Sequence, residues 1–209
     1  MDRRPRQDAR HGRPGRALQQ ALRRPQPRRQ EISSATVAPV LATARLTLRP
    51  FRAGDVDAQA SMMGDAQVMR HLGGPLAREE SWRKLLCGNG LWSLFGYGYW
   101  AVERRDDGRM IGQIGFADFR RAMVPSVENI PEMGWLFAAD AGGRGYATEA
   151  ALAALAWADA MLDAPRIVAI IDASNLASIR VAEKCGFNEN EPAAYRGEPI
   201  LLFRRPKAR

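Results

Sequence analysis

From Ala44 the chain alternates apolar and polar residues through Arg45, Leu46, Thr47, Leu48 and Arg49 to Pro50-Phe51, the period of a strand with one buried face. Gly54-Asp55 then marks a turn, and Asp55 is placed to cap a helix running from about Val56 to Met63. A second helical pattern follows Pro75 and carries Glu79, Glu80, Trp82, Leu85 and Leu86. The pattern returns to strand at Tyr99–Glu103, turns at Asp107-Gly108 and runs back over Met110–Phe116, as a hairpin would. After a polar loop, Glu132–Phe137 predicts a further strand. A glycine-rich turn at 142–145 leads into a helix from Ala147 to about Asp163, with Ala151, Leu152, Leu155 and Leu162 on one side. Pro165 ends that helix, and the apolar run Arg166–Ile171 predicts a buried strand. Asn175 opens a last helix that Gly186 closes, Phe187 begins another strand, and Pro199–Arg204 forms the final one. Strands and a hairpin followed by strand–helix–strand–helix–strand predict an α/β (α+β) fold around a sheet of mixed direction.

A length of 209 residues suits one domain, here residues 41–209, with no internal repeat. Residues 1–40 are rich in Arg and Pro and poor in large apolar side chains, and are read as a disordered tail, because such a segment buries too little surface to offset its ordering entropy. Ten arginines against Asp2, Asp8 and Glu31 place +7 of the formal +8 in that tail, so the folded part is close to neutral and carries no implied nucleic-acid surface. The tail itself has competing readings: no specific role, a nucleic-acid-binding arm, a targeting peptide, or a start codon set too far upstream. A secretory signal is excluded by the missing apolar stretch. With no run of about 18 apolar residues, no membrane span is expected. Cys87 and Cys185 make no disulfide framework and point to a reduced, cytoplasmic setting. His11 and His71 belong to no His/Cys cluster, so no metal site is expected.

The densest chemical signal is Gly142-Gly143-Arg144-Gly145-Tyr146-Ala147-Thr148 between a strand and a helix. Glycines allow positive φ and close approach of the backbone to a ligand. The helix that follows offers unpaired N–H groups and the positive end of its dipole, a combination suited to a pyrophosphate. A Walker A loop is excluded by the absence of lysine, and the dinucleotide fingerprint by Thr148, which stands where its third glycine belongs. The competing reading is an ordinary glycine turn with Thr148 and Glu149 as polar first-turn residues. A second signal is Asn175 through Phe187, with Asn175 as N-cap and Ile179, Ala182 and Cys185 on one stripe. Helix structure explains most of that segment but does not require Ser178.

In this order the two segments resemble the acetyl-CoA-binding core of the GNAT superfamily of N-acetyltransferases, and more closely its ribosomal-protein-N-acetyltransferase-like branch. Thr43–Phe51 is similar to that branch's opening T-x-R-L-x-L-R-P-F, Glu132-Met133-Gly134-Trp135 to its E-I-G-Y strand, and Tyr195–Phe203 to its closing segment. The resemblance spans residues 43–205. It implies a mixed, mostly antiparallel central sheet flanked by helices on both faces, with a splay between two central parallel strands, Glu132–Phe137 and Arg166–Ile171. It also implies acetyl-CoA as cosubstrate. Gly142, Gly143, Arg144, Gly145, Tyr146, Ala147 and Thr148 would hold the pyrophosphate, Trp135, Leu136 and Phe137 would lie along the pantetheine arm, and Asn175 would bond the pantetheine or thioester region. Two positions depart from the superfamily pattern. Gly142 replaces the usual Gln or Arg, and Ala182 stands where many members carry a tyrosine acid, an absence usual in this branch.

Acyl transfer from a thioester needs a neutral amine, a polarised carbonyl and a protonated leaving thiolate. Deprotonating a lysine side chain at pH 7 costs about 4.6 kcal/mol and an α-amine about 1 kcal/mol. The candidate base is Glu132, with a salt-bridged strand residue, or a site for the ammonium, as the alternative. The candidate acid is Ser178, with water or a purely structural serine as the alternatives. A backbone N–H near Leu136 would polarise the carbonyl. Trp92, Tyr97, Tyr99 and Trp100 either line an acceptor pocket or belong to the core, His71 is a weaker acceptor-side candidate, and Cys185 reads as a packed small residue. The expected activity is transfer of an acetyl group to a primary amine, either a protein N-terminal α-amine or a small molecule, by a monomer or homodimer. The alternative is an idle acyl-CoA-binding regulatory module.

Overall fold

Along the strand Tyr99–Arg104, Trp100 and Val102 enter one hydrophobic cluster and Tyr99 and Ala101 another, so both faces of the sheet are covered. The computed structural model describes residues 37–207, and the readings of the tail as disordered or as a nucleic-acid arm lie, up to residue 36, outside the described residues. Ala38 is already buried, and the Pro39 carbonyl accepts a hydrogen bond from the Trp100 indole at 2.7 Å.

The strands are β1 (Leu41–Ala42), β2 (Leu46–Arg49), β3 (Tyr99–Arg104), β4 (Met110–Ala117), β5 (Glu132–Phe137), β6 (Arg166–Asp172), β7 (Glu189–Tyr195) and β8 (Glu198–Pro206). The helices are α1 (Val56–Gly64), α2 (Ala66–Met69), α3 (Arg78–Phe95), α4 (Tyr146–Met161) and α5 (Leu176–Lys184). One sheet runs in the order β1-β2-β3-β4-β5-β6-β8-β7. Every neighbouring pair is antiparallel except β5 and β6, which are parallel. The mixed, mostly antiparallel sheet with helices on both faces is the expected architecture.

Packing explains where the helices lie. On one face α4 presents Ala150, Ala151, Ala154, Leu155 and Ala158, all buried, and the small side chains let it sit close on the strands. Trp92 and Trp100 meet at 4.7 Å between ring centroids, and Trp157 of α4 lies 5.3 and 5.2 Å from them. Such edge-to-face contacts add roughly 0.5–1.5 kcal/mol each to what burial supplies. Trp92 and Trp100 are thus core residues and not pocket lining. On the other face Phe51, Leu85, Ala101 and Met110 form one cluster, and Met62, Met63, Met69 and Leu136 another.

Local differences from the sequence reading have physical causes. The first strand shortens to β2 because Thr43 turns the chain: its hydroxyl accepts from Leu46 N–H at 2.9 Å, and its own N–H donates to Leu46 O at 2.9 Å. Asp55 does not cap α1. Its carboxylate accepts two bonds from Arg49, both 2.8 Å, and one from Arg52 N–H at 2.7 Å. Burial raises the Asp55 carboxyl, but these bonds outweigh it and hold the group below its ordinary range. Leu152 is exposed, because the face of α4 centred on Ala151 and Leu155 turns it to solvent. Phe187 is fully buried ahead of the strand it was expected to begin. The short helix α2 is too brief to show a periodic pattern in the sequence. It is capped by Asp65, which accepts from Gln67 N–H at 2.7 Å and Val68 N–H at 3.2 Å.

β3 and β4 approach closely at Gly115, where a Cβ would stand 2.2 Å from Gly98 O and 2.4 Å from Tyr99 Cα. Both are backbone atoms and cannot rotate away, so Gly115→Ala should destabilise the fold by about 3 kcal/mol or more in denaturant melts. A loss below about 1 kcal/mol would show that this approach is not rigid.

Candidate active site

The site begins where the sheet opens. β5 and β6 share a single register pair, Glu132 opposite Val168, with Val168 N–H donating to Pro131 O at 3.1 Å. Beyond it the strands part toward Phe137 and Asp172. β5 stays paired to β4 over its whole length, so the parting leaves one edge of β5 without a strand partner. Ala138 N–H donates to Ile111 O at 2.9 Å, and groups facing a given neighbour recur at every second residue of an antiparallel strand. Leu136 and Gly134 therefore turn their N–H groups to β4. The donors facing the gap are those of Trp135 and Phe137, so the polarising amide expected near Leu136 belongs to one of its neighbours. The Leu136 side chain is buried among Met62, Met63 and Met69, and Trp135 and Phe137 pack half-buried on the α4 side.

Both segments singled out in the sequence follow the open end of this gap. β5 leads through a 3-10 turn, Ala139–Ala141, to the glycine loop. Gly142 is extended (φ −63°, ψ 150°), whereas Gly143 and Gly145 have φ of 73° and 78°, a region that strains other residues. Gly145 is the N-cap of α4, and no side chain caps the helix. The first-turn N–H groups, which Tyr146, Ala147 and Thr148 supply, have no partner within the helix. Arg144 and the three glycines are exposed, and Tyr146 is buried. On the other strand, β6 ends at Asp172 and Asn175 caps α5, its Oδ1 accepting from Ser178 N–H at 3.1 Å. The Asn175 amide nitrogen and the Ser178 hydroxyl have no protein partner among the described residues. Ala182 is fully buried. Cys185 is buried too, which pushes its thiol up to about 11 and fits a packing role.

Glu132 stands at the closed end of the gap, 6% exposed. Its Oε2 accepts from Arg121 Nε at 2.6 Å and its Oε1 from Arg121 Nη2 at 2.7 Å, a bidentate pair. The Arg121 guanidinium lies 4.6 Å from the Tyr195 ring and 4.9 Å from that of Phe119. The loop carrying Arg121 is tied by Asp118, which accepts from Arg120 N–H at 3.0 Å and Asn129 N–H at 3.1 Å, and by a bridge from Val124 to Ala194. The Tyr99 hydroxyl is close enough to Gly134 that a Cβ there would stand 2.3 Å from it. Burial first, and the Glu132 charge second, hold that phenol well above its ordinary range, so it stays protonated.

His71 reaches the open end from the turn after α2. Its Nδ1 is 3.3 Å from Ser174 Oγ and 3.5 Å from Asp172 Oδ2. Three residues escaped the sequence reading: Arg121, Arg45, which grips Glu149 behind the glycine loop, and Asp172. Arg121–Glu132, Arg45–Glu149 and the approach of His71 to Asp172 arise through the fold, whereas Asp172 also accepts locally from Ser174 N–H, two residues on, at 2.7 Å.

The parted parallel strands, the uncapped helix behind a glycine loop and the capped α5 define an acyl-transferase scaffold. The chain belongs to the GNAT acetyltransferase family: the family model "Acetyltransferase (GNAT) domain" matches residues 45–188. The uncharacterized protein YkkB of Bacillus subtilis is 31% identical over 172 residues, covering 79% of this chain and 94% of its own. A candidate GNAT-family acetyltransferase from Bordetella pertussis superposes with a TM-score of 0.70 at 34% identity, over 80% of this chain and 99% of that one. A candidate ribosomal-protein-serine acetyltransferase from Vibrio cholerae shares the fold at 18% identity and a TM-score of 0.64, over 82% and 99% of the two chains. No described helix is long and apolar enough to cross a membrane.

Removing one partner of a buried ion pair leaves the other charge uncompensated. Arg121→Met should therefore lower stability by about 3 kcal/mol, and the double change with Glu132→Gln should recover much of that loss in the same melts. Additive losses would mean the two residues are not coupled.

Proposed function

We propose that the chain transfers an acetyl group from acetyl-CoA to a primary amine by direct attack on the thioester. The carrying observation is the single-pair junction of β5 and β6, opening onto an uncapped helix N-terminus. In this reading the N–H groups from Gly143 to Thr148 hold the pyrophosphate, the gap-facing edge of β5 at Trp135 and Phe137 bonds the pantetheine arm, and Asn175 contributes its free amide nitrogen. A gap-facing amide polarises the carbonyl, stabilising the tetrahedral oxyanion.

Glu132 is the proposed base or ammonium ligand, and Ser178 or water protonates the thiolate. Arg121 adds a condition. Both Glu132 oxygens already accept from it, so an approaching amine has to share or displace those N–H groups. An α-amine, which needs only about 1 kcal/mol to deprotonate at pH 7 against about 4.6 for a lysine side chain, asks least of such a carboxylate. That favours a protein N-terminus or a small molecule with an amine of low basicity.

Thiol release from acetyl-CoA, followed with a chromogenic thiol reagent across a panel of amines, tests the activity. Tight binding without release for any amine would mark an idle binding module instead. Gly145→Asp places a carboxylate and a strained φ at the helix mouth, and acetyl-CoA binding measured by calorimetry should weaken at least 100-fold. Glu132→Gln should keep the acetyl-CoA Kd within about twofold and lower kcat roughly 100-fold. Unchanged kcat would remove Glu132 from the chemistry.

A further inference from the structure

A carboxylate in the first turn of an anion-binding helix is a problem for the anion. Glu149 is the fourth residue of α4, within reach of the helix's positive end and of any diphosphate seated there. The structure turns it the other way. Its Oε1 accepts from Thr43 Oγ1 at 2.6 Å and from Arg45 N–H at 2.9 Å, and its Oε2 accepts from Arg45 Nε at 2.7 Å with Arg45 Nη2 2.6 Å away. The same guanidinium donates through Nη1 to the Arg144 carbonyl at 3.0 Å and lies 4.5 Å above the Tyr146 ring. A Cβ on Gly145 would stand 3.6 Å from Arg45 Nη2. One side chain, rooted beside β2, thus lies along the back of residues 144, 145, 146 and 149.

We propose that Arg45 is a positioning residue for the cofactor's diphosphate: it draws the Glu149 carboxylate away from the mouth of α4, neutralises it, and fixes the Arg144 carbonyl so that the loop turns N–H groups to the ligand. This rests on the reading of residues 143–148 as the pyrophosphate site. Neutralisation matters because Glu149 stays ionised. Burial raises its carboxyl, but the bonds from Thr43 and Arg45 outweigh burial and hold it below its ordinary range. Arg45 acts through the loop and touches no reacting atom.

The test uses the full chain, with acetyl-CoA as probe, in calorimetry and steady-state kinetics. Arg45→Met keeps the apolar stem over Tyr146 and removes the donors. It should raise both the Kd and the KM for acetyl-CoA at least tenfold, with kcat at saturating cofactor changed less than twofold. The double variant Arg45→Met with Glu149→Gln should recover most of that affinity, because the opposing charge is then absent. Glu149→Gln alone should bind acetyl-CoA as tightly as the parent or more so. That variant keeps the proposal testable if Arg45→Met folds poorly in a thermal melt.

A folded Arg45→Met that binds acetyl-CoA like the parent overturns the proposal and leaves the pyrophosphate reading intact. So does a Glu149→Gln variant that loses affinity tenfold, or a double variant that recovers none, since either would make the pair an ordinary structural tie. If the parent itself shows no binding at millimolar acetyl-CoA, the site reading fails first and this inference falls with it.

Discussion

A buried backbone amide or carbonyl must find a partner, and in a sheet the neighbouring strand supplies it. In this protein that supply stops on one side of β5. After the pair Glu132–Val168 the neighbour turns away, while β4 continues to hold the other edge through Phe137. The groups of every second residue, Trp135 and Phe137 among them, face the gap with strand geometry and no strand. Such an edge binds an extended molecule that carries amides of its own, as another strand would. The pantetheine arm of coenzyme A, the occupant proposed above, is such a molecule. The remaining site residues follow from that parting, because the loop after β5 and the helix after β6 both emerge at its open end.

Charge around the gap is arranged in closed pairs. Glu132 is held by Arg121 at the closed end, Glu149 by Arg45 behind the glycine loop, and Asp172 accepts from Ser174 N–H at 2.7 Å with His71 nearby at the open end. This matters for a site proposed to receive an anionic cofactor and an amine acceptor together. An unpaired carboxylate at the loop would repel the diphosphate, and an unpaired one at the base of the gap would be costly to bury. Among the described residues, pairing leaves the helix N-terminus, the backbone edge and the exposed Arg144 guanidinium as open positive features.

The sequence made legible those features that act locally. Periodicity located β3 to β6 within a residue or two, since each is a continuous apolar or alternating run ended by glycine, proline or a polar loop. The glycines at 143 and 145 were legible because their φ values of 73° and 78° suit glycine above other residues. Asn175 was legible as a cap because capping is a three-residue affair. What stayed hidden was produced by strand order. Arg45 and Glu149 are 104 residues apart and meet because α4 packs beside the start of β2. Arg121 is 11 residues from Glu132 across a loop with no regular period. Asp55 looked like a cap because nothing local announces that Arg49, six residues earlier, will claim its carboxylate in the interior. Leu152 was misplaced because a stripe of alanines, narrower than a leucine stripe, sets the buried face of α4.

The two halves of the site are built on different supports. In the proposed reading the cofactor half consists of backbone: the free edge of β5, the loop at 143–148 and the mouth of α4, braced by Arg45 just ahead of β2. The half around Glu132 consists of side chains from separate elements: Tyr99 from β3, Arg121 and Phe119 from the β4–β5 loop, and Tyr195 from β7. Backbone donors persist under almost any substitution that preserves the fold, whereas a wall of side chains changes with each one. The absence of a side chain at Gly134 is what admits the Tyr99 hydroxyl beside Glu132, and a single methyl there would press against it. A scaffold divided in this way lets the side-chain half change while the backbone half is kept. In the proposed reading, selectivity for the acceptor then resides in the side chains gathered about Glu132.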